Sequence, residues 1–134
     1  MKVKSLLIGE FFVAMAISLT GCQSNPPGHS NDAAVPAAQK AAVAAVDAGG
    51  KQFQAGDFQG AIKTLNGNAD INAASGDVQI RAHKLLAFSY CSVGKLSFCH
   101  AEFVRILQIN PAFKLSDSER SHPIWGPEFE SARK

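Results

Sequence analysis

The chain has 134 residues, 46% of them hydrophobic and 18% charged, with 13 Lys and Arg against 11 Asp and Glu. A formal charge of +2 lacks the basic excess of a nucleic-acid footprint, so no nucleic-acid partner is expected. The length suits one small domain, which buries a modest share of its surface and gains from a covalent staple. Catalytic signatures are also missing: there is no phosphate-cradling Gly-rich loop, no H-E-x-x-H and no G-x-S-x-G. His83, His100 and His122 stand apart without acids at telling spacings, so neither an enzyme nor a cofactor is expected.

The chain opens MKVKSLLIGEFFVAMAISLTGC. A positive start at Lys2 and Lys4, a short apolar run broken only by Glu10, and small residues before Cys22 describe a signal peptide over 1–21. The run is shorter than the roughly 20 apolar residues that span a bilayer. Leu19-Thr20-Gly21-Cys22 resembles the bacterial lipobox, in which the cysteine thiol carries lipid and the chain is cut before it. That resemblance implies Cys22 as the lipidation site and a membrane held through the acyl chains. Gln23 follows, not the Asp of inner-membrane retention, which implies an outer-membrane address facing the periplasm. Residues 22–36, with QSNPPGHSNDAAVP after the cysteine, read as a tether, and His29 in it as a solvated side chain.

A helical domain is predicted over 37–134. Alanine dominates the first helix, which Gly49-Gly50 weakens in the middle and Gly56-Asp57 ends in a turn. Asp57 is placed to N-cap a second helix with Phe58, Ala61, Ile62 and Leu65 on one face. Residues 66–77, NGNADINAASGD, read as a break. A third helix sets Val78, Ala82, Leu85, Leu86 and Tyr90 at spacings of three and four and ends near Gly94. A fourth carries Cys99, Phe103, Ile106 and Leu107 and stops at Asn110-Pro111. Ser116 and Glu119 have capping-box spacing, and Pro127 suits the start of a short last helix, with Trp125 and Phe129 closing the core. The fold class is all-α: two helix hairpins and a closing helix.

Within this pattern, His83-x2-Leu86-Ala87-x2-Tyr90, then Cys99-x3-Phe103, then Pro111 resembles a tetratricopeptide repeat. The unit runs from Ile80 to Phe113, about the 34-residue period of that family. It departs at His83, usually aromatic, and at Cys99, usually Ala. Gly49, Gly56-Asp57-Phe58 and Ala61-Ile62 resemble a degenerate upstream copy, so the likeness covers about half the chain. The resemblance implies a protein-binding domain whose first helices line a concave groove. Val43, Val46, Phe53, Arg81, Lys84 and Phe88 are the groove residues it implies, with apolar contacts in the middle and cations for a carboxylate. Against this, Val43, Val46 and Phe53 are equally well read as core, and Arg81 and Lys84 as a solvated face.

Cys91 and Cys99 flank the bend at Gly94-Lys95, each about one turn away from it. In an antiparallel hairpin they come within the roughly 7 Å that a disulfide needs between Cα atoms, and an oxidising periplasm would keep the bond. The alternatives are two buried free thiols, or a metal site for which C-x7-C-H is no recognised ligand spacing. A catalytic thiol pair would want C-x-x-C. Finally, NPAFKL, then Glu119, then HPIWGP and Phe129 resemble, over about the last third of the chain, the closing segment of small periplasmic lipoproteins, some of them accessory to type VI secretion clusters. That implies an envelope adaptor whose partner is a component of a secretion machine. A pilotin-like escort of a secretin or pilus component, or a structural envelope lipoprotein, are the other readings.

Overall fold

The computed structural model describes residues 31–134. The predicted signal peptide, Cys22 and most of the tether lie outside them. Six α-helices follow in order: α1 (Asn31–Gln54), α2 (Phe58–Asn66), α3 (Gly76–Ser92), α4 (Leu96–Ile109), α5 (Asp117–Arg120) and α6 (Trp125–Ala132). Among the described residues the protein is all-α, as the periodicity requires, and no helix is long and apolar enough to cross a membrane.

Two expectations about α1 change. The helix includes residues 31–36, which composition assigned to the tether. Pro36 lies in its second turn, where the missing N–H forfeits a single bond near the helix start. The glycine pair, which weakens the middle on propensity alone, turns out to have a packing role within a continuous helix. Gly49 is buried where α2 crosses α1, and a Cβ there would meet the Leu65 side chain at 2.9 Å. Its helix propensity is poor, but the absence of a side chain lets the two backbones approach.

The turns follow the sequence closely. Gly56 and Gly94, with φ of 79° and 75°, reverse the chain in the left-handed region that disfavours other residues. Asp57 Oδ1 accepts from the Gly60 amide at 2.8 Å and caps α2. The Asn-rich break is not wholly irregular: Ala69–Ala73 forms a 3-10 turn that buries Ile71 against the core. Gln39 of α1 then clamps the start of α3, its Oε1 accepting from the Ser75 amide at 2.7 Å and its Nε2 donating to Ser75 Oγ at 3.1 Å.

The two hairpins stack so that α1 and α3 run side by side in one direction. Four facing pairs define the register: Gln39 and Ser75, Asp47 and Arg81, Gly50 and Leu85, Phe53 and Phe88. Their separations of 36, 34, 35 and 35 residues are nearly constant. Ala42, Val46, Leu65, Ala82, Leu86, Phe103 and Ile106 form the core between the hairpins, all 4% exposed or less. Small residues at Ala42, Ala82 and Ala87 let the helices close together, and the larger ones fill the space between.

The last segment completes the packing. The Ser116–Glu119 capping box forms: Glu119 Oε2 accepts from the Ser116 amide at 2.9 Å and Ser116 Oγ from the Glu119 amide at 3.3 Å. Helix α6 lies against α4, where Phe129 is 1% exposed and meets Phe103 and Phe113 edge-on. Trp125 stacks flat on Phe88 at 4.0 Å, with His122 stacked on its other face at 3.8 Å.

Candidate functional site

The geometry of the α3–α4 hairpin answers the cysteine question. Cys91 and Cys99 are disulfide-bonded across the bend, with their Cα atoms 5.2 Å apart. Both are buried, at 2% and 0% exposed. The free-thiol and metal readings therefore give way to a staple. Among the described residues no group of three or more His, Cys, Asp and Glu is placed to hold a metal ion.

A groove of about 480 Å³ runs along the seam between α1 and α3. Its apolar floor is Val46, Gly50 and Leu85, and its polar walls are Asp47, Lys51, Gln54, Arg81 and Lys84. The parallel register creates it: α1 and α3 meet at small residues such as Ala42 and Ala82, and longer polar side chains rise on either side. Arg81 Nη2 donates to Asp47 Oδ1 at 3.0 Å across the rim, with both side chains about half exposed. Exposed pairs of this kind contribute little to stability, so breaking this one to meet a ligand would cost little. Lys84 donates from Nζ to Glu119 Oε1 at 2.7 Å and lies 5.8 Å from the centre of the Phe88 ring. Burial alone would raise the Glu119 carboxyl. The hydrogen bonds from Lys84 and Ser116, with the Lys84 charge, outweigh it and hold Glu119 below the ordinary carboxylate value.

Of the six residues implied for a groove, Val46, Arg81 and Lys84 come together in it. Val46 is floor and nearly fully buried, at 1% exposed. The other three belong to the packing: Val43 and Phe53 lie against the core, and Phe88, 4% exposed, is inside it. The reason is Trp125, which fills the space that Phe53 and Phe88 would otherwise open to a ligand. Asp47, Gly50, Lys51, Gln54 and Leu85 were missed. For the four on α1 the signal was a helical stripe, Asp47-Gly50-Lys51-Gln54 at spacings of three, one and three.

A second polar arrangement also escaped the sequence. His83 Nδ1 and Glu102 Oε2 lie 2.7 Å apart between α3 and α4, in residues 6% and 8% exposed. His83 does have an acid partner, brought to it by the antiparallel return of the chain after Gly94. His100, by contrast, is half-buried with its Nδ1 3.8 Å from Glu128. Compared with known proteins, the chain matches no family model, no curated protein and no solved structure.

Proposed function

We propose that the protein is a lipid-anchored periplasmic adaptor of the outer membrane that takes up a segment of another envelope protein in the α1–α3 groove. The observation that carries this reading is the groove itself: an apolar floor of Val46, Gly50 and Leu85 beneath the cations Lys51, Arg81 and Lys84. An amphipathic or extended segment with an acidic side chain suits that combination of apolar contact and charge. The near-constant 34–36 residue offset between α1 and α3 supports the tetratricopeptide-like reading, because stacked repeats of that length place equivalent residues side by side. The staple at Cys91–Cys99 suits an oxidising compartment, in keeping with the signal sequence and Cys22.

The resemblance of the C-terminal third of the chain to accessory lipoproteins of type VI secretion clusters makes a secretion-machine component the first partner to seek. The test is mild detergent extraction of the C-terminally tagged protein from its native membrane, with crosslinking and mass spectrometry. Membrane or sheath components of a secretion machine should be captured by the wild type and lost from Lys51→Glu/Arg81→Glu, with the helical circular dichroism unchanged. Capture that persists in the double variant would move the interface off the groove, and recovery of a secretin alone would make the protein a pilotin. A Cys22→Ser form that still works in the cell would remove the anchored role.

A further inference from the structure

On the side of the molecule away from the α1–α3 groove, a cavity of about 290 Å³ lies where the end of α2 and the 3-10 turn meet α3 and α4. Its size is at the lower end of small-molecule sites, which run to roughly 300–1,000 Å³. The wall is mainly polar, with Asn66, Asn72, His83, Glu102 and Arg105 turned toward it. A shallower cleft of about 230 Å³ shares Asn72, His83 and Arg105 and extends the opening along α4.

The donors and acceptors in this cavity form a specific map. His83 Nδ1 faces the Glu102 carboxylate and so carries the proton of that hydrogen bond; in the neutral ring Nε2 is then an acceptor. Among the described residues, neither His83 Nε2 nor Glu102 Oε1 has a hydrogen-bond partner, and neither is sealed from solvent. Arg105 stands one helical turn after Glu102, at the i,i+3 spacing that commonly forms an ion pair. No salt bridge joins them, however, because Glu102 is turned inward to His83 while Arg105 stays exposed at the rim. A negative acceptor pair and a free guanidinium thus face one small polar space without neutralising each other. A metal cation is disfavoured there, since Arg105 repels it and, among the described residues, no group of three or more His, Cys, Asp and Glu is placed to hold one.

From this map we infer that the cavity is a second binding site, for a small zwitterion of the α-amino acid class. The ammonium group donates to Glu102 Oε1 and His83 Nε2, and the carboxylate accepts from Arg105 and the Asn72 amide. The lining holds no Phe, Tyr or Trp on whose face a sugar ring would stack, and the Tyr90 hydroxyl, which accepts from Asn66 Nδ2, belongs to a buried residue. This site is separate from the proposed groove, and either reading can fail without the other.

The experiment is an amide NMR titration of the full-length chain in mild detergent, with glycine as the probe and acetate and methylammonium as its two halves. Glycine should give saturable shifts around Asn72, His83 and Glu102, with affinity on the order of millimolar for so small a ligand. The half-probes should shift the same amides only weakly. Arg105→Gln changes an exposed side chain, leaves the fold intact, and should weaken glycine about tenfold through loss of one charge-assisted contact. Absence of saturable shifts would overturn the inference. So would equal binding of acetate, which marks a plain anion site, or unchanged affinity in Arg105→Gln.

Discussion

At Cys91 and Cys99 the side chains do two things at once. They fill buried positions between α3 and α4, and their bond holds the bend closed. On the chain-entropy model a loop this short gives about 2.5 kcal/mol, a large share of the stability of a small domain. Cys91→Ala should therefore lower the midpoint of urea unfolding under non-reducing conditions. In excess reductant its midpoint should match that of the wild type; equal deficits in both buffers would assign the loss to packing. The staple was legible because both cysteines sit symmetrically about a Gly-Lys turn. The His83–Glu102 pair was not, because each residue taken alone sits on an ordinary helical stripe.

Glu119 gives a residue-scale prediction with a definite sign. Its carboxyl is held below its ordinary value, so the charged form favours the folded state. The contribution is present at neutral pH and is lost as pH falls through the lowered, folded-state value. Thermal midpoints of the wild type and Glu119→Gln should differ at neutral pH and converge in acid. A gap that stays constant across that range would show that Glu119 acts through its shape alone.

Among the elements, the pair α5 and α6 depends on a close backbone crossing. A Cβ on Gly126 would collide with the carbonyl of Arg120, a rigid atom that does not yield as a side-chain tip would. Gly126→Ala should push α6 away from α5, loosen Trp125 and Phe129, and cost on the order of 1–3 kcal/mol, as overpacking generally does. Hydrogen exchange would show the change as lost protection over 117–132, with α1 to α3 largely unaffected; uniform loss across the chain would mean that this C-terminal clasp of α5 and α6 unfolds together with the hairpins. The presence of both elements was readable from the Ser116–Glu119 box and from Pro127. Their docking was not, because Gly126 reads as a helix breaker until its neighbour is known. The same holds for Gly49 in α1.

For the molecule as a whole, the core is assembled from distant pieces. Phe53 of α1, Phe88 of α3, Phe103 of α4 and Trp125 and Phe129 of α6 form one connected aromatic cluster. Trp125→Ala should cost somewhat less than the roughly 3–5 kcal/mol of a fully buried aromatic, because the ring is partly buried, yet it removes the largest side chain of that cluster. It should also reopen Phe53 and Phe88 to solvent, which dye binding to exposed apolar surface would detect; an unaltered melting curve would make Trp125 a surface residue. The sequence patterning contained the hairpins and the core stripes, since those are local. The groove was half legible, because Val46, Arg81 and Lys84 follow from helix faces, whereas the displacement of Phe53 and Phe88 depends on a tryptophan far along the chain.

The chain has one tryptophan and one tyrosine, and the fold puts them in different places. Trp125 lies in the clasp between His122 and Phe88, while Tyr90 lies beside the staple with Phe98 stacked on it at 5.2 Å. Two native optical reporters therefore watch two parts of the molecule without any added label. A red shift of indole emission would signal release of the C-terminal clasp, and brighter phenol emission on reduction would signal cleavage of the staple, because a neighbouring disulfide quenches it. Recorded together during unfolding, the two colours would give the order in which the parts let go.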